Sequence, residues 1–331
     1  MILNTNRRAL QRRTGERGLI ATALLCVCLI GSTGCTSVNA DKGKPESRDA
    51  PAKAAESPNA EPRSGESKSV DPAVQSELER MEAEKRATLL QDAQSALAET
   101  RNALAALDRG DKQAALAALA QVTGKLDLVV ARDPKMALAP VSVSTTIFDL
   151  YASPETVKNT VKVAKDDLSS ERVQHARYLI EDLASEADIH VTEIPLATYP
   201  TAIRAVAPLI DAGKIDNAKA ALYAALNTLV VETYVVPLPK IRAQAMLDEA
   251  SALANKSDRK QDDNAKVHSL VEATRRELQL AEVLGYGTKD SYKPLYSQLD
   301  DIEKKTDSGQ SGSKGLFDKL RHSIKSFKFS S

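Results

Sequence analysis

Tryptophan is absent, and the aromatic side chains are few: eight Tyr and four Phe in 331 residues. So sparse a set offers few stacking platforms for single-stranded nucleic acid and few bulky walls for a deep cofactor cavity. There is no charge excess either, 45 basic side chains facing 45 acidic ones. That excludes nucleic-acid binding through bulk charge, because duplex-binding domains are basic as wholes or concentrate cations on one face. Histidine occurs only as His175, His190, His268 and His322, with no i, i+4 pair, so a helix-borne zinc site lacks its spacing. No glycine-rich phosphate loop, Gly-x-Ser-x-Gly elbow or dinucleotide fingerprint occurs. The residues point away from an enzyme, and no cofactor or metal is implied.

Cysteine is limited to Cys26, Cys28 and Cys35. The first two lie in an apolar run, Gly18–Ile30, that follows Arg7, Arg8, Arg12, Arg13 and Arg17. At 13 residues the run is short of the roughly 20 that a spanning helix needs, so it reads as a secretory leader. Its end, Ser32-Thr33-Gly34-Cys35, resembles a bacterial lipoprotein box, with residues 1–34 removed and Cys35 lipidated. The mature chain then keeps one Cys and no internal disulfide. Thr36 stands where an inner-membrane retention signal carries Asp. By that analogy the protein is expected at the outer membrane facing the periplasm, the alternative being a soluble periplasmic form.

Residues 35–75 are rich in Pro, Ser, Ala and both charges, without an aromatic side chain. They bury too little to offset chain entropy and read as a disordered tether, about 35 Å in root-mean-square span. Residues 76–305 read as a mainly α domain, with helical hairpins packed in one core and two or three short extended segments. Apolar residues at three-and-four spacing predict helices over 77–107 and 112–131. Ser153-Pro154 caps another to Leu168, and more are expected over 171–187, 200–212, 215–228, 239–255, 264–284 and 292–304. Val141–Ile147, Ile189–Ile194 and Val230–Val236 are β-branched or alternating and read as strands.

At an offset of 103, Leu107-Asp-Arg-Gly110 is echoed by Ile210-Asp-Ala-Gly213, each leading into an Ala-rich helix. A duplicated hairpin and a generic one shared by chance both fit this echo. Together Ala139–Tyr151, Leu209–Leu222 and Tyr234–Pro239 resemble, in order, the YfdX family of exported bacterial proteins. The resemblance spans roughly 78–290 and most resembles the heat-resistance-locus form. It implies a mainly helical periplasmic protein of acid, heat or other envelope stress, chaperone-like in behaviour and without an established catalytic site.

Two groups of residues are candidate functional positions. Asp149, Tyr151, His190, Glu193 and Tyr234 form a polar cleft if the strands meet, although His190 and Glu193 face opposite ways on a regular strand. After a linker at 306–314, residues 315–331 form an amphipathic basic helix. Leu316, Phe317, Leu320, Ile324 and Phe327 lie on one face, with Lys319, Arg321, Lys325 and Lys328 around the other. An interfacial helix, a docking helix and a helix folded back on its own domain all share that pattern. Protein clients or envelope partners are expected, with the membrane reached through the lipid anchor and the C-terminal helix, and a homo-oligomer is expected from the long Ala-rich helices. The favoured function is non-enzymatic client binding in stress tolerance. The alternative is a module that binds a small molecule or an envelope component.

Overall fold

The computed structural model describes residues 61–307 and 313–327. The leader, Cys35 and the tether up to residue 60 lie outside the described residues, as do 308–312 of the linker and 328–331 at the C-terminus. The chain begins with α1 (Gly65–Ser69) and α2 (Asp71–Arg86), then forms a hairpin of α3 (Gln91–Asp108) and α4 (Lys112–Arg132). β1 (Leu138–Asp149) leads to a second hairpin, α5 (Pro154–Ser169) and α6 (Val173–Ile180), and then to β2 (Ser185–Pro195). Three short helices follow, α7 (Tyr199–Arg204), α8 (Ala207–Asp211) and α9 (Ile215–Leu226), before β3 (Val230–Pro237). The chain ends with α10 (Leu238–Ala254), α11 (Gln261–Val283), α12 (Lys289–Asp307) and α13 (Lys314–Ser326). The fold is mainly α, as the periodicity predicts.

The three strands form one antiparallel sheet with β2 in the middle. Asp149 faces Ser185, Ser144 faces His190, Ile189 faces Tyr234 and Glu193 faces Val230. The β1–β2 register shifts between Pro140 and Ser142, at a proline that has no N–H for the ladder. The shift divides what the strands bury. Val143, Ala187, Ile189, Val191 and Val236 pack with α2 and α10–α13, whereas Ala139, Val141 and Ile194 pack with α3, α4 and α7–α9. The expected single core is therefore two main clusters along one pair of long strands. The reason is sidedness: in β2 Ala187, Ile189 and Val191 share one face while Ile194 falls on the other, and the irregularity at Pro140–Ser142 turns Ala139 of β1 to the same side as its partner Ile194.

The echo at 103 residues has a structural counterpart. Gly110 and Gly213 both adopt positive φ, +76° and +72°. At both turns a backbone N–H reaches back five residues, Asp111 to the Ala106 carbonyl and Lys214 to that of Leu209, each at 2.9 Å. This is the Schellman closure that a left-handed residue permits. α3, α4, α8 and α9 share one core, with Ala115, Ala218 and Leu222 fully buried between them.

Several boundaries differ from the periodic reading. The tether ends by residue 61, because Ser67, Val70 and Val74 are buried. Ser64 caps α1 by accepting from the Ser67 N–H, and docking on α10 and α11 supplies burial that the local composition does not advertise. The helix over 77–107 is two, broken where the Leu90 N–H donates to the Pro140 carbonyl of β1. The helix over 171–187 ends at Ile180, since from Ser185 the chain pairs with β1 and β3. The helix over 200–212 is interrupted before Pro208, near the start of α8.

Candidate functional site

A buried ionic cluster forms where the start of β2 and the end of β1 meet α10 and α11. Arg242 of α10 is only 2% exposed. One terminal nitrogen donates to Asp149 Oδ1 at 2.6 Å, and the other is 3.5 Å from Ser185 Oγ and 4.0 Å from Glu277 Oε2. Asp149 and Ser185 are register partners, so strand pairing sets both in front of the guanidinium. Glu277 of α11 accepts from Ser67 Oγ at 3.3 Å through Oε1, while its Oε2 has no hydrogen bond. Tyr151 lies between two guanidinium groups, Arg63 at 5.7 Å and Arg242 at 5.9 Å from the ring centroid. The Arg63 fork also grips Asp71.

The charges in this cluster do not balance. Arg63 has Asp71 and Arg242 has Asp149, which leaves Glu277 as a surplus acid. Burial pushes the Glu277 carboxyl up to about 7 despite the attraction of Arg242. Burial also works against the Arg242 charge, but the Glu277 and Asp149 carboxylates outweigh it and the guanidinium stays charged. Beside the cluster is a cavity of about 260 Å³, lined by Glu61, Tyr151, Ser153, Arg276, Glu277 and Leu280. At its mouth Glu61 accepts from Ser153 and Thr156, whose hydroxyls hold its carboxyl below the usual range.

The structure separates the five residues of the expected polar cleft into three places. Asp149 and Tyr151 belong to the Arg242 cluster. Glu193 is on the same sheet face but eight residues along β2 from Ser185, about 26 Å away. Its carboxyl is buried and pushed up, first by desolvation and then by Glu232. Tyr234 donates to Glu232 and carries the Lys85 ammonium 3.0 Å from its ring centroid. His190 faces the opposite side, its Nδ1 3.0 Å from Thr233 Oγ1. Strand sidedness, already visible in the sequence, takes His190 out of the cleft, and distance along the strands separates Asp149 and Tyr151 from Glu193 and Tyr234. Arg242 and Glu277 were not singled out by sequence reasoning, although Glu277 carries a usable signal. It falls in line with Leu270, Thr274 and Ala281 on the buried face of α11, where a lone carboxylate needs a partner.

The expected free face of the C-terminal helix is a further correction. Phe317, Leu320 and Ile324 are buried, with Leu316 and Phe327 packed beside them against α10 and α12. Phe327 lies 4.8 Å from Tyr292, centroid to centroid, and Arg321 pairs with Asp248 of α10. α10 and α12 present a complementary apolar groove, which is why the helix folds back. Exposed apolar side chains lie elsewhere, on α4, β1, α9, β3 and, as the largest group, the α5–α6 hairpin. Val163 and Leu168 of α5, with Val173, Tyr178 and Ile180 of α6, all face solvent, Tyr178 at 58%. The hairpin is closed by the buried Asp167 carboxylate, which pairs with both His175 and Arg172.

Residues 96–235, from α3 into β3, match the family model described as YfdX protein. A solved structure of Salmonella Typhi YfdX is 17% identical, with a TM-score of 0.32. The likeness covers 45% of this chain and 93% of that one. Among curated proteins none matches. Asp149 and Tyr151 fall inside the matched stretch, whereas Arg242, Glu277 and α13 lie beyond it.

Proposed function

The chain belongs to the YfdX family through residues 96–235, and on that premise we propose that it is a non-enzymatic, periplasm-facing protein of heat or acid stress that binds polypeptide clients. The observation that supports this most is the exposed apolar surface of the α5–α6 hairpin, where Val163, Leu168, Val173, Tyr178 and Ile180 all face solvent. Clustered exposed apolar side chains are the usual mark of an interaction surface. The buried Ala- and Leu-rich faces of α3 and α4 are spent inside the fold, and of the apolar side chains that stay exposed, which include Leu128 and Val130 of α4, the α5–α6 hairpin carries the largest group, five. Binding there needs no nucleotide cycle, only competition between client burial and client aggregation. The leader and Cys35 give this activity its place: a lipid-anchored protein at the outer membrane, reaching clients across the tether.

The test is light scattering of a heated or acidified client protein. The parent chain in excess lowers the scattering, and the triple variant Val173→Ser, Tyr178→Ser, Ile180→Ser loses most of that effect while melting normally. Unchanged scattering with excess parent protein refutes the reading. A second reading, binding of a small molecule or envelope component, is supported by the cavity beside Glu277 and Tyr151. It requires a ligand that raises the melting temperature of the parent chain but not of Glu277→Gln.

A further inference from the structure

β3 is an edge strand with unused pairing capacity. Among the described residues its one sheet neighbour is β2, and no backbone bond joins Val230–Val236 to an element outside the sheet. Val230, Val231, Glu232, Thr233 and Val235 are exposed. Edge strands are normally blunted by Lys, by Pro or by a bulge. This one has four Val and a single Glu, pairs with β2 without a register shift, and meets Pro237 only at its end.

Its sequence is also self-complementary. Val-Val-Glu-Thr-Tyr-Val-Val places its valines symmetrically about Thr233. Antiparallel pairing about Thr233 sets Val231 against Val235 of a second copy, Val230 against Val236, and Glu232 against Tyr234. Directly opposed residues share a sheet face, so two Val231–Val235 pairs flank a central Thr–Thr pair on the outer face. On the inner face the pairing sets Glu232 against Tyr234, whose hydroxyl also donates to Glu232 of its own copy. Lys85 holds its ammonium over the Tyr234 ring, and the pairing brings the second copy's Glu232 carboxylate opposite that tyrosine. The two-fold axis repeats this pairing, and it closes the assembly at two copies.

We propose that β3 pairs with β3 of a second copy of this chain, antiparallel about Thr233, merging two three-stranded sheets into one. This surface is separate from α5–α6, so dimer formation and client binding stand or fall independently.

The test is site-directed cross-linking in the whole chain, produced with its own leader and extracted in mild detergent. Opposed Cα atoms at the two-fold axis are about 4.5–5.5 Å apart, within the roughly 4.4–6.8 Å that a disulfide spans. Mild oxidation of Thr233→Cys therefore gives a covalent dimer that reductant dissolves. The parent chain, which has Cys26, Cys28 and Cys35 alone, controls for the native thiols, and Ser144→Cys on the outer face of β1 controls for random collision. Adding Val235→Lys to Thr233→Cys lowers the cross-linked yield about tenfold by placing a charge in both valine pairs. Thr233 and Val235 are exposed, and an unchanged melting curve verifies that the sheet is intact in each variant. Unlinked thiols in a folded Thr233→Cys chain overturn the proposal, and so does a yield matched by Ser144→Cys or untouched by Val235→Lys. A foreign strand seated on this edge gives the first of those results.

Discussion

Glu277→Gln removes the surplus buried charge while keeping the shape of the side chain and an oxygen to accept from Ser67. In the native fold this carboxyl holds its proton up to about pH 7, whereas in the unfolded chain it releases it near the ordinary 4.5. The raised value means that the folded state binds the proton more tightly. Glu277 therefore costs nothing at low pH, and its cost grows as pH rises from about 4.5 through 7. At about 1.36 kcal/mol per decade, the gap between 4.5 and 7 amounts to about 3 kcal/mol at pH 8. The attraction of Arg242 is already inside that figure, since it is part of what sets the value near 7. Removing the charge should thus stabilise the protein by about 3 kcal/mol at pH 8 and by less than about 0.5 kcal/mol at pH 4.5. For a chain of this size that corresponds to a rise of about 6–12 °C in melting temperature at pH 8. The assay is thermal melting of both proteins at matched pH values, read as their difference, so that every other carboxylate cancels. A difference that does not change between pH 4.5 and 8, or a less stable variant at pH 8, refutes the reasoning. The latter would mean that Glu277 is ionised and that its pairing with Arg242 is worth more than its burial costs.

Phe317→Ala should destabilise the protein by about 3–5 kcal/mol, the cost of emptying a buried phenyl site; a loss below about 1 kcal/mol in a urea melt would show α13 detached from α10 and α12. Glu171 is the one described non-glycine residue with positive φ, +60°, in the turn position that Gly110 and Gly213 fill elsewhere. Glu171→Gly should therefore gain roughly 0.5–1 kcal/mol, the relief of left-handed strain less the added chain entropy, and a loss would show that the Glu171 side chain compensates. Mass spectrometry of the mature protein should find an acylated Cys35 in the outer-membrane fraction, with Cys35→Ala released or unprocessed. An unmodified soluble parent chain would replace the anchored protein with a freely diffusing one.

The elements legible in the sequence were those whose signals are local. Ser153-Pro154 starts α5 where the cap and the fixed proline φ require, and Gly110 and Gly213 end their helices where only a left-handed residue closes the turn. The β-branched runs at Val141, Ile189 and Val230 mark all three strands. Illegible were the outcomes that depend on distant partners. Residues 61–75 look like tether until α10 and α11 bury Ser67, Val70 and Val74. The amphipathic face at Leu316–Phe327 is the same whether it meets lipid, a partner or its own core, because periodicity records that a face is apolar and not what covers it.

The sequence by itself determined the class of fold, the turn positions, the strands, the sidedness that keeps His190 from Glu193 and the absence of a helix-borne metal pattern. Each of these follows from backbone geometry within a few residues. Only the tertiary structure decided that Arg242 and Glu277 face each other, that Asp149 and Tyr151 join them while Glu193 and Tyr234 do not, and that α13 lies inward. Those facts rest on strand register and helix docking between residues far apart in the chain, where the free energy of burial, not local propensity, makes the choice.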